Sequence, residues 1–183
     1  MIIEVEDISF REYVGMNAAD KIKINFYLTN GKFEPVDLFG FGSFLEQTFE
    51  FVKDWQEILR SEDGLSWKIF MDEIEKITKI DATILAKKSI FDLQKCRYFI
   101  LKEVNQINEI ESIALNHAHS AREQSAGLEI FANYKSFLQF DSLADGDLTR
   151  FKEVGNLPYS LCLTKLKLEK DRAEYSERFS KLK

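Results

Sequence analysis

The sequence predicts an all-α protein: a helical bundle with a long central helix, a long C-terminal helix and room for a small β element before residue 40. Three observations carry this expectation. Only two prolines and eight glycines occur among 183 residues, too few for the turns that an all-β fold needs. From Phe44 onward, apolar residues recur at threes and fours over most of the chain, the period of a helix with one buried face. Serine or aspartate stands ahead of several of those runs, where its oxygen can take a free amide of the first turn.

Taken in order, Ile2 to Glu6 read as a short strand, and Asp7 as the cap of a short helix through Phe10 and Val14 that Gly15 ends. Residues 17–38 admit two readings. Ile22, Ile24, Phe26 and Leu28 alternate with polar residues ahead of Asn30-Gly31, a hairpin signal. The same residues pair at spacing four behind Asn17 or Asp20, with Gly31 as a stop, and Pro35 demotes a return strand to an edge. In a chain otherwise helical, the helix is preferred.

Ser43-Phe44-Leu45-Glu46 has the form of a capping box, opening a helix with Phe44, Leu45, Phe49, Val52, Trp55, Ile58 and Leu59 on one side, to about Arg60. After a turn at residues 61–64, Ser66 opens a helix that buries Trp67, Phe70, Met71, Ile74 and Ile77. Asp81 caps a short turn through Leu85. Ser89 and Asp92 begin the longest helix, about Ile90 to Leu115, with Leu93, Cys96, Ile100, Val104, Ile107 and Ala114 as its stripe. At about 1.5 Å per residue it runs nearly 40 Å. Glu103 and Glu111 interrupt the stripe, which favours a central bundle helix over a coiled-coil seam.

The period is lost from Asn116 to Gly127, so three regions are expected. Residues 1–115 form a helical N-terminal domain, 116–127 a linker or hinge, and 128–183 a smaller helical part. In that last part Phe131, Tyr134 and Leu138 are expected to face inward, Asp147 to cap a short helix ended by Gly155, and Pro158 to stand at N1 of the final helix.

Composition excludes several classes. A net charge of −6 argues against a general nucleic-acid binder, which needs a basic face to displace counterions. No apolar run approaches the roughly 18 residues of a membrane span, and the start, Met-Ile-Ile-Glu-Val-Glu-Asp, is not a signal peptide. Cys96 and Cys162 have neither disulfide-framework nor zinc spacing, which fits a reducing, cytoplasmic setting, or a virion if a phage encodes the chain. Most of the sixteen phenylalanines, roughly twice the average share, should lie in the core, and a surplus of large aromatics also suits interface anchors.

Local motifs are weak. His117 and His119, with Glu111 and Glu123 as the nearest acids, could bind a metal only in an extended segment where both rings share a face. Asp145-Gly146-Asp147 with Arg150 reads as a glycine turn followed by a cap. Phe39-Gly40-Phe41-Gly42-Ser43 ends at an expected helix N-terminus but lacks a P-loop lysine. Cys162 follows Pro158 closely enough to raise the question of an activated thiol. No catalytic, cofactor or metal site is assigned.

The C-terminal helix carries the stronger signal. Leu161, Leu168, Tyr175 and Leu182 are seven apart, with Phe179 beside the last two. Tyr159, Leu163 and Leu166 add a second apolar face in the first half alone. Glu174 with Arg178 and Glu177 with Lys181 form favourable pairs at spacing four. One half is built for a core and the other for a single neighbouring helix. The expectation is a non-catalytic interaction or assembly protein, a subunit or accessory factor, that contacts a protein partner or a second copy through Leu168, Tyr175, Phe179 and Leu182. Its size and helical style resemble those of small helical components of bacteriophage head–tail and tail-assembly modules, with no shared motif. Two alternatives stand beside it: a small enzyme or ligand binder using Asp145 and Asp147 or His117 and His119, and a nucleic-acid-binding regulator using Lys165 to Lys183.

Overall fold

A computed structural model describes residues 8–21, 24, 28, 34–61, 65–116, 130, 131, 134 and 136–182. The protein is all-α. In place of strands, the described residues hold two isolated antiparallel bridges, Ser9 with Ser89 and Thr48 with Pro158. Helices run over Phe10–Gly15 (α1), Phe49–Arg60 (α2), Trp67–Thr78 (α3), Ala82–Leu85 (α4), Ile90–Leu115 (α5), Phe137–Leu143 (α6), Phe151–Gly155 (α7) and Tyr159–Lys181 (α8). A 3-10 turn, Leu148–Arg150, leads into α7. The expected strand at residues 2–6 and the linker beyond Asn116 lie outside the described residues. Between 17 and 38, residues 18–21, Ile24 and Leu28 are helical, and the Asp20 amide donates to Asn17 Oδ1 at 3.0 Å.

The chain forms two compact units, Met1–Phe41 with Ile58–Glu103, and Gly42–Glu57 with Val104–Lys183. The division falls within α2 and α5.

In the first unit, Ile8, Ile24, Leu28, Ile90 and Phe91 form one buried cluster, with Phe10, Tyr13, Met16 and Trp67 packed on it. The backbone brings these together: the Phe10 amide donates to the Lys88 carbonyl at 2.9 Å, and the Ile90 amide to Ile8 at 2.8 Å. The cap of α1 is Ser9. Its hydroxyl accepts from the Glu12 amide at 3.2 Å while Glu12 Oε2 accepts the Ser9 amide at 2.8 Å, a reciprocal box that satisfies two end-group donors. The cap is thus Ser9 and not the expected Asp7, and the Ser-x-x-Glu spacing of Ser9 and Glu12 is the local signal that specifies it.

Ser66 caps α3 as expected, accepting from the Ile69 amide at 3.4 Å. Phe70 and Ile74 of α3 are fully buried. Ser66→Ala should cost about 1 kcal/mol, read as a lowered denaturation midpoint at unchanged slope; no loss would mean that water serves that amide equally well. Arg97 lies over Trp67, its guanidinium carbon 4.4 Å from the ring centroid, and Nη2 donates to the Leu65 carbonyl. Burial pulls the Arg97 pKa down.

In the second unit, α2 and α8 start side by side. The Phe49 amide donates to Leu157 at 2.8 Å, Tyr159 to Gln47 at 2.8 Å and Ser160 to Leu45 at 3.1 Å. Phe49, Val52 and Trp55 of α2, Val104 and Ile107 of α5, and Tyr159, Cys162 and Leu166 of α8 are buried.

Three expectations need correction here. The Ser43 box does not start a helix: the Glu46 amide donates to the Ser43 carbonyl, closing a turn, and α2 begins only at Phe49, with the Thr48 hydroxyl accepting from Phe51 at 3.3 Å. The pairing with Leu157 holds that segment as a bridge, so the helix is delayed. Phe131, Tyr134 and Leu138 do not face inward; they are exposed, and Leu143 and Ala144 supply the buried contacts of that region. Pro158 is the N-cap of α8 rather than N1, a shift of one residue that leaves its missing amide equally harmless.

Candidate functional site

The site takes its form from the division of α8 into two faces. At about 100° per residue, Tyr159, Cys162 and Leu166 share one sector, and Leu161, Leu168, Tyr175, Phe179 and Leu182 fall within about 60° of one another on the opposite side. The first set is buried. The second is open: Leu168 is 44% exposed, Tyr175 68%, Phe179 52% and Leu182 84%. The Tyr175 and Phe179 rings stack on each other at 6.1 Å between centroids. All four expected contact residues therefore lie on one exposed stripe.

Ion pairs on the rest of its surface add to the helicity of α8. Lys165 meets Glu169 at 2.7 Å, Arg178 meets Glu174 at 3.0 Å and Lys181 meets Glu177 at 2.6 Å. The last two are the pairs expected from the sequence, each worth a few tenths of a kcal/mol. Lys170 lies 3.7 Å from Glu174 and also donates to the Ala114 carbonyl at 3.3 Å. Beyond it, every residue from 171 to 182 is exposed except the half-buried Glu174. Acids interleaved with the cations blunt the uniform positive face that phosphate contacts require.

A second feature was not foreseen: a polar cluster inside the second unit. Lys53 is 4% exposed and Gln56 1%. The Lys53 ammonium pairs with Glu111 and donates to Gln56 Oε1 at 2.7 Å. Gln56 Nε2 donates to Asn108 Oδ1 at 2.8 Å and to Glu111 Oε2 at 3.0 Å, and the Tyr159 hydroxyl donates to Glu111 Oε1 at 2.6 Å. Lys53 Nζ also lies 5.3 Å from the Phe49 ring centroid and 5.5 Å from that of Tyr159. Burial by itself pushes the Glu111 carboxyl up. The Lys53 charge and the hydrogen bonds from Lys53, Tyr159 and Gln56 outweigh it, leaving the pKa below its ordinary 4.5. A signal existed in the sequence: Glu111 follows Val104 and Ile107 at the stripe's own spacing, so it falls on the buried face of α5.

The alternative sites are accounted for locally. Asp147 caps the 3-10 turn, accepting from the Thr149 amide at 2.9 Å and its hydroxyl at 2.7 Å; these bonds hold its pKa down. Asp145 pairs with Arg150 at 3.2 Å. His117 and His119 lie outside the described residues. Among the described residues, no three His, Cys, Asp or Glu side chains gather as metal ligands would. Phe39 to Ser43 is not at a helix N-terminus, since α2 starts at Phe49. Its Gly40 and Gly42 have φ of 73° and 68°, a left-handed backbone that favours glycine. Burial pushes the Cys96 thiol up to about 12 and the Cys162 thiol up to about 11, so neither is an activated nucleophile at neutral pH.

One open cleft of about 410 Å³ is lined by Glu50, Ser136, Phe137, Phe140, Phe151 and Lys152. Its wall is a run of contacting rings, Phe137 with Phe151 at 5.2 Å and Phe140 with Phe151 at 5.6 Å. No described helix is long and apolar enough to cross a membrane. Neither a family model, nor a curated protein, nor a solved structure matches this chain.

Proposed function

We propose that the protein is a non-catalytic interaction or assembly factor whose working surface is the outer face of α8. The observation that carries this reading is the exposed stripe of Leu168, Tyr175, Phe179 and Leu182, opposite the buried face of the same helix. Large apolar side chains in one contiguous strip cost hydration free energy unless something covers them, and a strip this narrow fits one helix. Among the described residues, the second half of α8 contributes no buried side chain, so its apolar pattern is better explained by contact than by folding.

The test places a photo-activatable phenylalanine analogue at Tyr175 of the full chain, in the protein's own cells, with the same group at exposed Lys152 as control. Adducts, with a partner or with a second copy, are expected from position 175 and should disappear with Phe179→Asp. Equal labelling from both positions, or none from 175, would contradict the assignment.

A further inference from the structure

We propose that the occupant of the α8 stripe is a second copy of this chain, lying antiparallel to the first. The inference rests on the preceding reading of α8 and adds the identity and direction of the partner.

The argument comes from which residues stand beside the stripe. Leu168, Tyr175 and Leu182 occupy one seam position, and Lys165, Arg172 and Phe179, three residues before each, occupy the other. A parallel pair sets each residue against itself. Lys165 would then face Lys165 and Arg172 would face Arg172 within the contact. All of these are like charges. Parallel pairing is disfavoured at every charged position of the seam.

Reversing one helix removes the conflict. Leu168 then lies level with Phe179 of the second copy, and Arg172 with Tyr175, where a guanidinium can cover a ring face. Lys165 lies level with Leu182, its aliphatic stem along the leucine and its ammonium at the rim. The flanking positions come into register as Asp171 beside Arg178 of the second copy, and two-fold symmetry makes that ion pair twice. Asp171 and Arg178 are both exposed. Arg178 reaches Glu174 on its own helix at 3.0 Å, and its exposed guanidinium has further donors to serve Asp171 of the neighbour as well. The buried residues Tyr159, Cys162 and Leu166 are on the far side of α8, so the second helix meets no part of the core that α8 covers.

From Lys165 to Leu182 the overlap is about 26 Å of helix. One helix face of that length covers less than the roughly 800 Å² per partner of a standard interface, so the dimer should be weak, with its population rising over roughly 1–100 µM.

Sedimentation velocity of the full chain across that range provides the test. Dimerisation is expected, Phe179→Asp should weaken it at least tenfold, and Asp171→Arg or Arg178→Asp should each weaken it about tenfold. The double variant Asp171→Arg/Arg178→Asp should return to within about threefold of wild type. A merely structural effect would leave it the weakest of the set, because it carries both changes. If Arg178→Asp strengthens the dimer, or the double variant is not restored, the antiparallel register is wrong. A monomer at every concentration overturns self-pairing altogether, while adducts from position 175 to a different protein would keep the wider reading.

Discussion

Glu111→Leu should destabilise the protein by about 3–5 kcal/mol, the cost of removing one partner from a buried ion pair. The leucine would fit the apolar surroundings set by Val104 and Ile107, yet it removes the charge that compensates the Lys53 ammonium, and that ammonium has little access to water. Tyr159 and Gln56 lose an acceptor in the same step. Lys53→Met should cost a similar amount, and the two changes together less than their sum, with a coupling of up to about 3 kcal/mol. Additive losses in a denaturant titration would mean that the two charges are solvated independently. The pair also sets a pH dependence. Because the folded-state pKa of Glu111 lies below 4.5, its contribution is complete above that pH and is lost as pH falls through the folded value. The acid limb of the stability curve should therefore be shallower in Glu111→Gln than in wild type. Parallel limbs would show that other carboxylates govern acid unfolding.

Phe49→Ala should cost about 3–5 kcal/mol, a fall in Tm of roughly 6–20 °C. Phe49 is fully buried, meets Phe140 edge-on at 4.8 Å and stacks on Tyr159 at 5.9 Å, with the Lys53 ammonium over its face. Truncation opens a cavity where three helices converge and takes away one of the two rings that face a buried cation. Phe49→Leu should recover much of the packing but none of the cation contact, and should fall between the two. A loss below about 1 kcal/mol for Phe49→Ala would contradict the burial described here.

The helical period was enough to place α5 and α8 almost to the residue, because long stripes of Leu, Ile, Val and Phe leave few alternative registers. Ser66, Asp81 and Asp147 were legible as caps for a local reason: a short oxygen-bearing side chain immediately before a run can satisfy the first-turn amides wherever the run goes. Ser43 was misread because its local box lost to a long-range bond, Phe49 to Leu157, that no window of sequence contains. Phe131 and Tyr134 were expected inside with Leu138 as the inner face of a helix, and apolar spacing does not say which surface a short segment finds. Lys53 and Glu111 were hidden for the opposite reason. Glu111, being charged, counted as an interruption of the stripe, and Lys53 drew no reading at all, although both fall on the buried face of their helix. The outer stripe of α8 was readable in advance, since its spacing of seven differs from the three-and-four pattern of the core face.

The central claim is that the outer face of α8 serves contact and not folding, and the double variant Leu168→Asp/Phe179→Asp examines both halves of it at once. Exposed substitutions away from packed features each change stability by no more than about 0.5 kcal/mol, so with two of them the Tm should stay within about 4 °C of wild type. Cross-linking from position 175 should be lost. A Tm that falls as far as that of Phe49→Ala, or cross-linking that survives the two charges, would contradict the account.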